Sequence, residues 1–223
     1  MLKSNVILFL LVTLIFVSCK KDNEEVNFHH EYFPLVEGTF VEYQVTETEY
    51  IASNPTSKTY KLKTVVGDTV IDNSGRIARK FYRYIYDENL QTYVVKDLWT
   101  AIIDQERAEL VEENQRMIKL VFAPTLAKEW DGNAFNVYEE AFLYYDKIHK
   151  PYKVGNMDFD STLVVEEDST LNFIEYRRKY EVYAAGIGLV KKHYQDYQIT
   201  NSNYLNPITG KDFFYEVISF GVE

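Results

Sequence analysis

One thiol, four imidazoles and a few carboxylate clusters make up the reactive inventory of this 223-residue chain. Cys19 is the single cysteine, and it follows an apolar run, Val6 to Val17, interrupted only by Thr13. His29-His30-Glu31 is the one histidine cluster. In an extended segment adjacent side chains point to opposite sides, so the pair does not chelate one ion, and the i, i+4 spacing of a helical zinc site is missing. His149 and His193 stand alone in the sequence. Asp158-Phe159-Asp160 puts two carboxylates on one face of a strand, and Glu166-Glu167-Asp168 adds three more acids. Neither sits in the Asp-x-Asp-x-Asp-Gly loop of a calcium site. No Gly-x-Ser-x-Gly elbow and no glycine-rich phosphate loop occurs. These patterns predict no metal, no cofactor and no assignable catalytic residue; the acids read as a wet strand face and an acidic turn.

The chemistry that does stand out is that of the Cys19 thiol. A positively charged start, Met1 to Asn5 with Lys3, precedes the apolar run, and Ser18 supplies a small residue before the cysteine. The run is shorter than the ~20 apolar residues that span a bilayer, and it ends in Ser18-Cys19-Lys20-Lys21. It therefore reads as a secretory leader. Its ending, Phe16-Val17-Ser18-Cys19, resembles the lipobox at which bacterial signal peptidases cut lipoproteins, with Phe16 where leucine is usual, the looser form of the Bacteroidetes. The resemblance implies a diacylglyceryl group on the Cys19 sulfur and cleavage before it. Each buried methylene contributes ~0.8 kcal/mol and one chain alone holds only marginally, so an anchor of two or three chains is effectively permanent. Lys20-Lys21-Asp22-Asn23-Glu24-Glu25 is polar and charged, as in a flexible tether. It also resembles the acidic export signals that send some Bacteroidetes lipoproteins to the outer face of the outer membrane. The organisation expected is a signal peptide over 1–18, a lipidated cysteine and tether over 19–31, and one domain over 32–223.

Cleavage removes Lys3 and moves the net charge from −10 to −11. That acidity argues against a nucleic-acid partner, which needs phosphate-neutralising cations, and against a polybasic membrane-surface mode. With its only thiol lipidated, the domain forms no disulfide and relies on its core; a chain of this length buries most of its apolar surface unaided. Aromatics reach 16 %, with 19 Tyr and 14 Phe against 2 Trp, a composition suited to pleated, half-buried sheet faces.

Those faces follow from a period of two. Val41, Tyr43 and Val45 alternate with Glu42, Gln44 and Thr46. Ser53-Asn54-Pro55-Thr56-Ser57 breaks this strand, and the next runs about Thr59 to Val66 with a bulge or turn at Gly67-Asp68. Asp72-Asn73-Ser74-Gly75 is a hairpin turn. Strands follow at Arg76–Asp87, Thr92–Ile103, Glu106–Glu112, Arg116–Phe122, Val137–Tyr145, Asp160–Val165, Asn172–Tyr183, Gly188–Tyr197 and Phe213–Phe220. Ala123 to Asn133 suggests a short helical turn bounded by Pro124 and Gly132. The expected fold is all-β and antiparallel, either a curved open sheet or half-barrel or a β-sandwich, with few short helical turns.

The opening Tyr32-Phe33-Pro34-Leu35-Val36-Glu37-Gly38-Thr39-Phe40 resembles the start of uncharacterised Bacteroidetes lipoproteins. Phe159-Asp160-Ser161-Thr162-Leu163 and Tyr183-Ala184-Ala185-Gly186-Ile187-Gly188-Leu189-Val190 are similar to later segments of the same proteins. The resemblance implies an antiparallel sheet, in the manner of the open half-barrel of lipoprotein-localisation carriers, and no particular activity. By analogy with those carriers it implies a lipid or acyl chain bound inside the concave sheet.

Two functional classes are therefore expected: a non-enzymatic ligand- or partner-binding module at the outer membrane, on the cell surface slightly ahead of the periplasmic face, or a hydrolase acting on glycans or esters. The binding module's partners are the membrane through its anchor and a small hydrophobic ligand, a glycan or an envelope protein. The anchor is directly testable: Cys19→Ala is expected to move the protein from the membrane to the soluble fraction on cell fractionation. A variant that stays with the membranes removes the anchor.

Overall fold

The computed structural model describes residues 26–223. The expected leader with Phe16, Val17 and Ser18, the expected lipidation residue Cys19, and the expected export segment Lys20 to Glu25 lie outside the described residues. Among the latter, helical structure is limited to one 3-10 turn, His30–Tyr32.

Thirteen strands make up the rest: β1 Thr39–Ile51, β2 Asn54–Ile71, β3 Ile77–Asp87, β4 Thr92–Ile103, β5 Arg107–Glu112, β6 Gln115–Val121, β7 Glu129–Asp131, β8 Phe142–Val154, β9 Met157–Glu167, β10 Thr170–Leu171, β11 Glu175–Ala184, β12 Gly188–Gln198 and β13 Thr209–Val222. They form one antiparallel sheet in the order β6-β5-β4-β3-β2-β1-β13-β12-β11-β9-β8-β7, with β10 paired to β11. Most neighbours in the sheet are neighbours in sequence, because short turns, several of only two residues, return the chain directly. Ala52 and Ser53 (φ 49° and 62°) turn β1 into β2, and Glu113 and Asn114 (φ 47° and 63°) turn β5 into β6, the left-handed pair that matches strand twist. Asp72 Oδ1 accepts from the amides of Ser74 and Arg76, both at 2.8 Å, and closes the β2–β3 turn.

The non-local step is β1 against β13, which brings the two ends of the domain together. Gly210 makes the start of β13 possible: a Cβ there would lie 2.1 Å from the Asp196 carbonyl oxygen, at a φ of 132°. The sheet then rolls up until its edge strands nearly meet. Ile118 of β6 donates its amide to the Gly132 carbonyl just after β7 (2.9 Å), Trp130 Nε1 donates to the Ile118 carbonyl (3.2 Å), and Arg116 and Phe135 form an isolated bridge. The Tyr145 hydroxyl donates to the Val121 carbonyl at 2.7 Å. Pairing edge groups this way leaves little open edge for another chain. The result is a nearly closed barrel rather than a sandwich.

The β8–β9 hairpin continues the barrel wall at its base, between β11 and β7, but its distal half leaves it. Three register shifts, between Tyr145 and Lys147, Ile148 and Lys150, and Lys150 and Tyr152, bend it. Its turn residue Gly155 lies against the Glu216 carboxylate of β13, two strands beyond the strand that β9 pairs with. Val154 and Phe159 at its tip join Val164, Val182, Ala184 and Val190 in a common apolar cluster. These bulges also explain why a strand runs through Pro151, which cannot donate to a ladder. Three expectations are corrected here. The strand over Val137–Tyr145 begins only at Phe142, after a string of turns. The helical turn over Ala123 to Asn133 is instead irregular chain leading to β7. The break at Ser53-Asn54-Pro55-Thr56-Ser57 is confined to Ala52-Ser53, and Pro55 pairs with Tyr50 inside the hairpin.

Outside the barrel, Glu109 is fully buried beneath three arginines. Arg76 reaches it at 2.8 and 3.2 Å and Arg107 at 2.7 Å, with Arg116 at 3.6 Å. Arg76 and Arg116 also pair with Asp72, so the cluster ties the β2–β3 turn to β5 and β6. Removing one partner of a buried ion cluster leaves uncompensated charge and costs several kcal/mol. Glu109→Ala is expected to lower the unfolding free energy by about 3 kcal/mol, read from the urea midpoint at constant slope; a change within ~0.5 kcal/mol, the size of an ordinary surface substitution, contradicts a structural role for the cluster.

Candidate functional site

Inside the barrel the alternation that builds the strands also selects what faces the lumen. On β1 the inward set is Val41, Tyr43 and Val45; paired with it are Leu62 and Thr64 of β2 and Tyr215 and Val217 of β13. Phe81 and Arg83 of β3 continue the set, followed by Trp99 of β4 and Leu110 of β5. These side chains enclose a cavity of about 80 Å³. Phe33, Pro34 and Leu35, just before β1, close one end of it together with Ile187, Gly188 and Leu189. The Gly186 amide donates to the Glu31 carbonyl at 2.7 Å and holds this N-terminal segment on the barrel mouth.

The deep end of the cavity is ionic. Glu181 of β11 is 5 % exposed and accepts from Lys119 Nζ of β6 at 2.8 Å, from the Tyr194 hydroxyl at 2.6 Å and from the Tyr183 hydroxyl. Lys192 Nζ of β12 stands 3.8 Å from the same carboxylate. Burial alone would push Glu181 up, but Lys119, Lys192 and these donors overcome it and hold the carboxyl down at about 2. Burial and the Glu181 charge push the Tyr183 and Tyr194 phenols well up, so both remain neutral donors. Burial pulls the Lys192 ammonium below its ordinary value; Glu181 opposes this and Lys119 adds to it. Nearby, Arg83 donates to Asp97 at 2.7 Å and to the Tyr215 hydroxyl at 3.2 Å, and its guanidinium lies 3.8 Å from the Trp99 ring centre, close enough for a cation–π contact. Beyond Tyr194 the far end of the lumen turns polar, with Glu47, Lys58, Lys179, Lys211 and Asp212 around an open depression.

The sequence motifs fall elsewhere. His29, read as part of a tether, lies against His149 with ring centres 4.3 Å apart and the rings tilted by 48°, so His149 is isolated only in sequence. Both residues have left-handed backbones (φ 60° and 51°). Glu31 meets His29 Nδ1 at 2.8 Å, and His149 Nδ1 meets the buried Tyr32 hydroxyl at 2.6 Å, which in turn meets Ser161 Oγ at 2.7 Å. Tyr32 thus stands between the serine and the histidine, and the arrangement pins the N-terminal segment to β8 and β9. His30 packs on Phe122 instead. His193 pairs with Asp212 at 2.9 Å across β12 and β13. Asp158 and Asp160 are exposed on either side of the buried Phe159. Glu166 and Glu167 pair with Arg178 and Lys179 of β11. Among the described residues no group of three or more metal-ligating side chains converges.

Sequence reasoning missed Arg83, Lys119, Glu181 and Lys192. A signal was present: Glu181 and Tyr183 share a strand phase, as do Lys192, Tyr194 and the inward end of β12. A charge in an apolar phase is either an error of register or a buried ionic site.

No family model matches the sequence, and no curated protein matches it. Among solved structures, the chain is similar to a protein from Bacteroides fragilis described as exported, with a YmcC-like fold (14 % identity, 84 % of this chain and 98 % of that one, TM-score 0.39). It is also similar to a protein from Parabacteroides distasonis described as a lipoprotein (15 % identity, 84 % and 98 %, TM-score 0.34). A third likeness is to a domain from Vibrio parahaemolyticus described as an outer membrane lipoprotein-sorting protein (12 % identity, 82 % and 85 %, TM-score 0.22).

A carboxyl whose folded pKa lies below its unfolded value stabilises the fold above that unfolded value and loses the contribution as pH falls through the folded one. For Glu181 the window runs from 4.5 down to about 2. Glu181→Gln is expected to be less stable than wild type at neutral pH and to lose less on acidification across that window. Urea midpoints measured at a series of pH values test this; parallel curves for the two proteins refute it.

Proposed function

We propose that this chain is a lipid-anchored protein of the bacterial envelope, attached at the outer membrane through Cys19, that binds a small apolar ligand inside its barrel without transforming it. The cavity carries the reading. Its walls are mainly apolar, Val41, Leu62, Val66, Phe81, Trp99 and Leu110 among them, and a few polar groups converge at one end, the composition of a ligand pocket. Its volume of about 80 Å³ holds roughly six waters or a fragment of roughly ten non-hydrogen atoms. The leader and the Cys19 chemistry support the anchor, and the acidic run Lys20 to Glu25 supports display on the cell surface.

Hydrolysis of esters or glycans asks for different geometry. An acid catalyst needs a pKa raised toward neutrality, whereas Glu181 is held at about 2 by its cations and donors. A serine nucleophile needs its base in contact, whereas Ser161 meets Tyr32. Binding uses the lumen as it is built.

Native mass spectrometry of protein extracted from its own membranes is expected to show a small amphiphile bound beyond the N-terminal lipid. Val66→Trp, which fills the cavity from the wall, is expected to lose it. A wild-type protein carrying no small molecule, or a Val66→Trp protein that keeps it, contradicts the reading.

A further inference from the structure

Three cations and two anions line the cavity: Arg83, Lys119 and Lys192 against Glu112 and Glu181. Two of the cations are committed. Arg83 is held by Asp97, Tyr215 and the Trp99 face, and Lys119 donates to Glu181 at 2.8 Å. Lys192 differs. Its side chain is only 15 % exposed, and its nearest carboxylate oxygen, Oε1 of Glu181, is at 3.8 Å, outside hydrogen-bond range. That oxygen already accepts from Lys119 and Tyr194. What surrounds the ammonium instead is aromatic: the ring centres of Tyr194, Tyr215 and Phe213 lie at 4.3, 5.7 and 5.8 Å. Ring faces offset part of the cost of removing a cation from water, but they accept none of its three N–H donors. Glu112 makes no ion pair within 4 Å among the described residues and leaves Lys192 without a close partner.

We infer that the ligand of this lumen is a small amphiphilic carboxylic acid, its carboxylate seated on Lys192 and its apolar body against Leu62, Phe81, Leu110 and Leu189. The inference rests on the ligand-binding reading above and adds the chemistry of the ligand's polar end. Arg83 is neutralised by Asp97 and Lys119 by Glu181, which leaves Lys192 as the lining cation without a close carboxylate, and a monovalent carboxylate matches it; a phosphate monoester brings nearly two negative charges and overcompensates beside Glu181. The apolar walls and the ionic belt lie at opposite ends of one cavity, so an acid with a single headgroup satisfies both. The carboxylate accepts from the ammonium directly, a charge-assisted bond in a poorly solvated place.

The test uses the full-length protein in nanodiscs of zwitterionic lipid, with empty nanodiscs as the blank, and compares octanoate with octan-1-ol by calorimetry. Wild type is expected to bind octanoate ~10-fold or more tighter than the alcohol, the worth of a charge-assisted hydrogen bond. Lys192→Met is expected to bring the ratio to about one while octanol still binds, which also reports that the barrel has folded. Lys192→Arg is expected to retain the preference. If wild type binds both equally, the acid headgroup is refuted while the apolar cavity stands. If Lys192→Met keeps the preference, the assignment to Lys192 is refuted. If neither compound binds, the ligand-binding reading itself falls.

Discussion

An ionised carboxylate in the middle of a rolled sheet is the constraint around which the rest is arranged. Glu181 has almost no surface, so its charge must be met entirely by the protein. The partners come from three places in the chain: Lys119 on β6, Tyr183 on its own strand, and Tyr194 and Lys192 on β12. Lys119 can reach it only if the β4–β5–β6 side of the sheet curls across to face β11. The ion pair and the near-closure of the barrel therefore require each other. A buried pair of this kind adds little net stability over an apolar substitute, but it penalises any register that separates its members.

The lumen consequently has a polarity along its axis. At one end the segment Phe33 to Leu35 plugs the mouth and gives it an apolar lining. At the centre stands the ionic belt, and beyond it the wall becomes polar and open. A uniformly apolar core would have packed shut, as close-packed interiors do. Charged side chains on the inner face interrupt that packing: Lys119 reaches Glu181 across the lumen, while Arg83 pairs with Asp97 on the neighbouring strand. The plug is held from outside by the chain of contacts through His29, His149, Tyr32 and Ser161, where two residues accept left-handed backbones to make them.

Much of the strand pattern was legible because it is local. Thr92–Ile103 is β4 as read, and Gly188 to Tyr197 falls one residue short of β12. The turn at Asp72 to Gly75 was readable from residues that tolerate positive φ. Legibility failed where a strand's neighbours override its composition. Pro55 and Pro151 lie inside strands, one at a hairpin end and one among bulges. Val137 to Ala141 opens with two strand formers, Val137 and Tyr138, yet turns, since Gly132 and Asp131 bind back to Ala141. The site was less legible than the fold. Lys119 and Glu181 are 62 residues apart, and each alone reads as a polar residue on a wet face.

The sequence by itself determined an all-β antiparallel chain and the positions of most turns. These are short-range properties: periodicity and backbone tolerance act within a few residues. Only the tertiary structure decided that the sheet rolls into a nearly closed barrel rather than a sandwich, that the distal half of the β8–β9 hairpin leaves the wall, and that Arg83, Lys119, Glu181 and Lys192 face inward together. The period of two tells which residues share a face; it does not tell which face closes on itself. That choice depends on the free energy of pairing charges and edges across the whole molecule, which no local pattern records.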